Sequence, residues 1–155
     1  MSNARTIDAS PAGNRFGSTF VTMTVGSQVC GIPVLEVRDV IETQAMTRIP
    51  LAPVEIAGSL NLRGRIVTAI DLRRRLGLSP RDGTQAKMSV VIERQGDLYS
   101  LMVDSVQEVV NFSDQRLEPN PPTLRDKWRE LSVGVYRRNS DLLIVLNTER
   151  VLTFS

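Results

Sequence analysis

Apolar and polar residues alternate with a period of two along much of this 155-residue chain. Val21, Met23 and Val25, for example, alternate with threonines, and a Gly26-Ser27 pair then leads into a second apolar run. A period of two places every second side chain on the same face of a β-strand. The pattern therefore predicts a mostly β protein whose strands are joined by short turns.

A β-hairpin with an arginine at its tip is predicted near the middle of the chain. Two apolar runs, residues 60–62 and 66–70, flank the dipeptide Arg63-Gly64. A glycine at this place supplies the positive φ that a tight hairpin turn needs. The Arg63 side chain should therefore point into solvent, either as an ordinary solubilising residue of the turn or as a recognition group.

The order of residues around this hairpin returns later in the chain. Residues 58–77 and 134–152 share the order of glycine, strand, polar turn with arginine, apolar strand, polar residue, basic residue and leucine. In this alignment Ile70-Asp71-Leu72 matches Leu146-Asn147-Thr148. The match indicates a second hairpin near the end of the chain.

The residues before the two hairpins also correspond, since residues 37–41 match residues 106–110. We interpret the chain as two related halves, roughly residues 20–80 and 86–153, with possible exchange of strands between them. Chance similarity between two β meanders is the alternative interpretation.

Two of the predicted strands, residues 66–70 and 142–146, are apolar on both faces. A sheet with one solvated face would carry a polar residue at every second position, so both strands need cover on both sides. Two small β-barrels packed together provide this cover, because each fills its own interior and both share a core. The pattern therefore favours a pair of packed barrels with short helical turns.

Other parts of the chain give less regular signals. Residues 71–77 fit a helical turn with a cap at each end, and residues 73–75 would form its exposed basic face. Residues 56–58 form another possible helical turn, and residues 98–106 fit a single strand. Residues 37–41 are compatible with a helical turn or a strand.

The length of the chain is that of one domain with a proper core. Residues 1–17 are polar and are expected to form a disordered N-terminal segment before the domain, residues 18–153. The longest aliphatic run, residues 142–146, is far too short to span a membrane. Cys30, the single cysteine, cannot form an internal disulfide, which fits a cytoplasmic protein, and its strand context predicts a buried thiol.

The charge pattern argues against several classes of function. A net charge of +2 is weak for a nucleic-acid-binding protein. The chain has no histidine, which removes the commonest general base and metal ligand, and one cysteine cannot build a thiolate metal site. Asp104, Glu108 and Asp114 lie at predicted strand edges and a turn, where solvated acids are expected. We therefore expect no catalysis, no cofactor and no metal.

Several segments, taken in order, carry a family resemblance: 20–25, Gly31-Ile-Pro-Val-Leu-Glu-Val-Arg-Asp-Val-Ile41, Arg48-Ile-Pro50, Ile56-Ala-Gly58, Asn61-Leu-Arg-Gly64, Ile70-Asp-Leu-Arg73, Val103-Asp-Ser-Val106 and Gly134. This order resembles the CheW family of bacterial chemotaxis coupling proteins over residues 18–153. The resemblance implies two intertwined SH3-like five-stranded barrels. It also implies a non-catalytic scaffold of two-component signal transduction that couples chemoreceptor cytoplasmic signalling tips to the regulatory domain of the histidine kinase CheA. Such a protein is cytoplasmic, does not insert into the membrane and is recruited to membrane-associated receptor arrays.

The resemblance also implies which residues bind each partner. Val37, Asp39, Gly58, Leu60 and Arg63 would form a receptor-binding groove, in which apolar side chains contact a receptor helix and Arg63 contacts a carboxylate. A kinase contact is expected near Glu118 and Pro119. The alternative function is a small-barrel nucleic-acid-binding protein. That function needs aromatic platforms for stacking, whereas the few aromatic residues are scattered through the chain.

Overall fold

The strands predicted from the period of two are present in the computed structural model, which describes residues 18–79 and 88–153. The predicted disordered segment, residues 1–17, lies outside the described residues. The strands are β1 Thr19–Val25, β2 Gln28–Pro33, β3 Val37–Glu42, β4 Ile56–Leu62, β5 Arg65–Asp71, β6 Met88–Arg94, β7 Asp97–Val103, β8 Ser105–Asn111, β9 Ser132–Arg137 and β10 Leu142–Leu146. The short helices are α1 Leu72–Arg75, α2 Asp126–Leu131 and α3 Thr148–Val151, and a 3-10 turn covers Val34–Glu36.

The strands of the described residues form two five-stranded sheets. Sheet A has the order β9-β10-β2-β1-β8, and sheet B has the order β3-β6-β7-β5-β4. Neighbouring strands are antiparallel, except that β2 runs parallel to β10 and β5 runs parallel to β7. The two sheets confirm the predicted fold class, a mostly β protein with two five-stranded units and short helices.

Each sheet takes strands from both parts of the chain. β3 follows β2 in sequence but lies in sheet B, and β8 follows β7 but lies in sheet A. The second crossing occurs at Asp104, whose Oδ2 accepts hydrogen bonds from the Gly26 backbone NH at 2.8 Å and from Arg73 Nη1 at 2.9 Å. The prediction of a single strand over residues 98–106 was wrong, because the chain bends at this aspartate to reach the other sheet.

Apolar side chains form one cluster shared by the two sheets and one smaller cluster within each sheet. Ile70 of β5 and Ile144 of β10 belong to the shared cluster. Their neighbours Ala69 and Val145 belong to the clusters of sheet B and sheet A, respectively. Both strands are therefore covered on both faces, as predicted. Ile66 is the exception at 70% exposure, because it precedes the part of β5 that pairs with β7.

The sequence repeat has a structural counterpart in two buried glycines. Gly58 in β4 and Gly134 in β9 each lie at a register shift, next to a second segment that pairs with the strand through one isolated bridge. A Cβ at Gly58 would lie 2.6 Å from the Thr47 carbonyl oxygen, and one at Gly134 would lie 2.6 Å from the Glu118 carbonyl oxygen. Such contacts are too close for a side chain. Both glycines are therefore required by the close approach of backbone.

The aligned polar residues after the two hairpins also play the same structural part. Asp71 Oδ1 accepts a hydrogen bond from the Arg73 backbone NH at 3.0 Å at the start of α1. Asn147 Oδ1 accepts one from the Arg150 backbone NH at 3.3 Å at the start of α3. Short side-chain acceptors at helix N-termini satisfy backbone NH groups that have no partner in the helix.

Two arginines of α1 differ from the prediction of an exposed basic face. The Arg73 side chain is 19% exposed and forms an ion pair with Asp104 at 2.9 Å. Arg75 donates hydrogen bonds to three backbone carbonyls within residues 150–153. Only Arg74 of the three is exposed. Two of the three arginines therefore hold α1 against neighbouring elements.

Two further elements differ from the sequence interpretation. Residues 56–58 begin strand β4 and do not form a helical turn. Helix α2 was not predicted, although Trp128 and Leu131 lie at helical spacing and both are buried. The signal was short, since six residues give less than two turns of a helix.

Candidate functional site

The β4–β5 hairpin ends in a two-residue turn formed by Arg63 and Gly64. Their φ values are +52° and +85°, which is the conformation of a type I′ turn. Asn61 Oδ1 accepts a hydrogen bond from the Gly64 backbone NH at 3.0 Å and closes the turn. The Arg63 side chain is 78% exposed, so the prediction of an arginine at an exposed hairpin tip is confirmed.

Arg63 nevertheless has a partner within the chain. Its Nη2 lies 3.1 Å from Asp39 Oδ2, although the geometry of this ion pair is not that of a hydrogen bond. The other oxygen, Asp39 Oδ1, accepts a hydrogen bond from the Val40 backbone NH at 2.9 Å. Because β3 and β4 are opposite edges of sheet B, the pair shows that the sheet curls until its edges approach.

The energetic value of this ion pair is small. One partner is mostly exposed to water, and such pairs contribute about 0 to 1 kcal/mol. The buried Asp39 Oδ2 also lacks a hydrogen-bond donor of suitable geometry within the described residues. The pair can therefore be opened at little cost, and a donor or a cation from elsewhere could occupy the same place.

The other three residues of the predicted receptor groove lie deeper. Val37 is partly buried and packs against the shared cluster. Gly58 is buried at its register shift, and Leu60 is 8% exposed within the cluster of sheet B. Val37 lies in the strand that carries Asp39 and Leu60 in the strand that leads to Arg63, whereas Gly58 lies near the other end of β4, and Leu60 offers little surface to a partner.

Two apolar side chains near the pair are exposed instead. Val40 follows Asp39 in β3 and is partly exposed, and Ile66 lies just after the hairpin turn. Sequence analysis assigned Ile66 to a strand covered on both faces, whereas it left residues 37–41, which include Val40, open between a helical turn and a strand. The exposure of Ile66 depends on where pairing with β7 begins, at Val67, which the local pattern does not encode.

Glu118 and Pro119, the predicted kinase contact, lie beside sheet A. Glu118 forms the isolated bridge with Val135 of β9, and its Oε1 accepts a hydrogen bond from Arg137 Nε at 3.0 Å. Pro119 is exposed. The structure therefore brings Asp39 and Arg63 together on sheet B and places the Glu118 region beside the other sheet.

Among the described residues, the two side chains whose pKa values are shifted, Cys30 and Tyr136, are both buried. Burial raises the pKa of the Cys30 thiol to about 12, so this thiol is protonated near neutral pH and is a poor nucleophile. Burial also raises the pKa of Tyr136, whose ring stacks on Phe112 at a centroid distance of 4.4 Å. Within residues 18–79 and 88–153, no three acidic or cysteine side chains are grouped so that they could hold a metal ion.

Comparison with known families gives the same assignment as the sequence resemblance. A model of the CheW-like domain matches residues 19–154. The chain belongs to the CheW family. The predicted family resemblance is thereby confirmed, and nothing in these comparisons favours a nucleic-acid-binding protein.

Individual relatives agree with this assignment. The chemotaxis protein CheW of Helicobacter pylori is 26% identical over 133 residues, which cover 86% of this chain and 80% of the relative. The Klebsiella aerogenes chemotaxis protein CheW is 28% identical over 142 residues, which cover 92% and 86%. The crystal structure of the CheW scaffolding protein from Thermoanaerobacter tengcongensis superimposes with a TM-score of 0.74 at 27% identity, covering 84% of this chain and 88% of that one.

No helix among the described residues is long and apolar enough to cross a membrane.

Proposed function

We propose that this chain is a non-catalytic coupling protein of chemotaxis, which holds a chemoreceptor signalling tip and the regulatory domain of the histidine kinase CheA in one complex. Membership of the CheW family supports the scaffold role. The observation that carries the proposal is that the Arg63–Asp39 ion pair and the Glu118 region lie on different sheets, sheet B and sheet A respectively. An adaptor needs two such separate surfaces.

The receptor contact is assigned to the Asp39–Arg63 pair and its surroundings. Arg63 already sits at a hairpin tip, and its fork of donors can turn from Asp39 to a carboxylate on a receptor helix. Ile66, three residues after Arg63, supplies exposed apolar surface beside the hairpin tip. Val37 and Leu60 then act by packing beneath the strands that lead to the pair, and Gly58 acts by allowing the close approach of Thr47 to β4.

The kinase contact is assigned to sheet A around Glu118 and Pro119. Glu118 and Arg137 form an exposed pair on the edge strand β9, and Pro119 extends this surface. A surface with exposed charges of both signs can pack against complementary charges on the related barrel of the kinase regulatory domain. The expected location is the cytoplasm, with recruitment to receptor arrays through these contacts.

Arg63→Glu is the first test of the receptor contact. The change replaces an attractive group by a repulsive one, so receptor affinity should fall at least about tenfold while kinase affinity stays unchanged. Asp39→Lys should give the same separation. Calorimetry would measure binding of a receptor signalling fragment and of the kinase regulatory domain separately, with circular dichroism as the folding control.

The double variant Asp39→Lys with Arg63→Glu distinguishes recognition from a structural role. It restores an ion pair across the sheet edge but with the charges exchanged. If the pair serves only to hold the hairpin, this variant should recover receptor binding. Continued loss of receptor binding supports recognition, whereas recovery would contradict it. Glu118→Lys is the matched variant on sheet A and should weaken kinase binding alone.

A further inference from the structure

The connection between β3 and β4, residues 43–55, differs from its counterpart between β8 and β9. The two connections reach equivalent points of the two sheets, since Thr47 forms an isolated bridge with Ser59 of sheet B and Glu118 forms one with Val135 of sheet A. The second connection carries α2, which buries Trp128 and Leu131. The first has no helix, and its three large aliphatic residues are exposed to solvent: Ile49, Leu51 and Val54.

Leu51 combines full exposure with an unfavourable backbone conformation. The Ala52 backbone NH donates a hydrogen bond to the Ile49 carbonyl oxygen at 3.3 Å, which closes a turn with Pro50 and Leu51 at its centre. Leu51 has a φ of +64°, a conformation that favours glycine at this position of a turn. The chain thus holds a leucine in solvent where a glycine would fit without strain. Such strain is concentrated at functional sites.

A cleft of about 370 Å³ lies against this leucine. Its rim carries Arg48 and Arg74, and neither side chain has an ion-pair partner within the part of the chain that the structure describes. The acidic lining residue, Asp71, has its Oδ1 engaged at the N-terminus of α1. The cleft therefore combines exposed aliphatic side chains with two arginines that have no ion-pair partner among the described residues.

We propose that this cleft binds an acidic amphipathic peptide segment of a partner protein. An aliphatic side chain of the segment would enter the cleft against Ile49 and Leu51, and its carboxylates would pair with Arg48 and Arg74. A membrane surface fits less well, because adsorption needs more basic residues than two and the site is concave. The site is distinct from the Asp39–Arg63 pair, since it lies at the opposite end of the β4–β5 hairpin, about 20 Å away.

The test begins with selection of a random dodecapeptide library against the folded chain, with counter-selection against Leu51→Gly. Enriched peptides should carry an aliphatic residue flanked by Asp or Glu. Fluorescence anisotropy of one enriched peptide should show binding at least about tenfold weaker to Leu51→Gly and to the double variant Arg48→Glu with Arg74→Glu. Val109→Thr, which alters an exposed aliphatic residue of β8, is the matched control and should leave binding unchanged.

The stability of Leu51→Gly separates docking from folding. Its urea midpoint should equal or exceed that of the unchanged chain, because glycine relieves the positive φ. A lower midpoint would show that Leu51 packs in the fold and would overturn the proposal. Failure to enrich peptides, or enrichment of peptides without carboxylates, would do the same. If the chain sedimented with vesicles containing phosphatidylglycerol and Leu51→Gly did not, the ligand of the cleft would be a membrane surface, and the proposal of a peptide would be overturned.

Discussion

The β4–β5 hairpin of sheet B and the β9–β10 hairpin of sheet A occupy equivalent places in the two halves, but the ion pairs around the two hairpins differ. On sheet B, Arg63 reaches across the sheet edge to Asp39. On sheet A, Glu108 aligns with Asp39 but has no ion-pair partner within residues 18–79 and 88–153. The arginines there pair elsewhere, Arg137 with Glu118 and Arg138 within its own turn. An open cleft of about 690 Å³ lies between Glu108 and these two arginines.

This comparison separates the demands of the fold from those of function. A feature that both halves share, such as the glycine at a register shift, belongs to the common architecture. A feature found in one half only needs another explanation. By this criterion the burial of Gly58 and Leu60 belongs to the common architecture, because Gly134 and the buried Tyr136 are their counterparts in register. The Asp39–Arg63 pair is specific to sheet B and is the stronger candidate for recognition.

The largest expected effect tests the shared glycines. Gly58→Ala and Gly134→Ala should each lower the free energy of unfolding by about 4 kcal/mol, because the new Cβ would displace a bridging segment and its hydrogen bonds. Urea denaturation would measure both. Gly64→Ala is the control, since a Cβ at this glycine would have no other atom within 4 Å, and it should cost only about 1 kcal/mol. A much smaller loss for Gly58→Ala than for Gly134→Ala would break the equivalence of the two halves.

The features that sequence predicted well are those encoded by nearby residues. Arg63-Gly64 between two apolar runs predicts its turn from local backbone preference, and Asp71 and Asn147 cap helices within two or three residues. The strand break at Asp104 was missed, because its partners Gly26 and Arg73 are distant in sequence.

The candidate site shows the same division. Sequence placed Arg63 at an exposed tip, but its pairing with Asp39 depends on the curling of sheet B. Leu60 was expected in the groove because the family resemblance indicates its position in the sequence but not how deeply its side chain is buried. Its side chain lies in the cluster of sheet B. Exposure depends on where neighbouring strands end, and that information is distributed over the whole chain.

Leu60→Ala tests whether Leu60 stabilises the fold or contacts the receptor directly. Removal of a buried leucine side chain should lower the free energy of unfolding by about 3 kcal/mol. Receptor affinity, measured under conditions where the variant is folded, should change much less than in Arg63→Glu. Tyr136→Ala is its counterpart on sheet A and should also destabilise. Normal stability of Leu60→Ala together with lost receptor binding would place Leu60 on the contact surface itself.

The interiors of the two halves should differ in alkaline solution. Cys30 pairs in register with Ile144 on sheet A, and the partly exposed Tyr99 holds the equivalent place on sheet B. Burial raises the pKa of Cys30 from 9.0 to about 12, so the unfolded thiol ionises first. Stability is therefore lost as pH rises between these values. From about pH 8 to pH 10.5, the unchanged chain should lose about 2 kcal/mol more than Cys30→Ala. Urea denaturation under reducing conditions would measure this, and equal losses would mean that the thiol is not buried in solution.

The smallest expected effect is the coupling energy of the Asp39–Arg63 ion pair, which distinguishes sheet B from sheet A. A double-mutant cycle with Asp39→Ala and Arg63→Ala should give a coupling energy of about 0.5 kcal/mol or less, because Arg63 is mostly exposed. The cycle cancels the separate effect of Arg63→Ala on the turn. The same cycle for Glu118 and Arg137 provides the comparison on sheet A, and its coupling should be similarly small. A coupling energy well above about 1 kcal/mol for Asp39 and Arg63, but not for Glu118 and Arg137, would mean that the Asp39–Arg63 pair stabilises the edges of sheet B. The loss of receptor binding expected for Arg63→Glu would then have a structural cause, and only the charge-exchanged double variant could still separate recognition from folding.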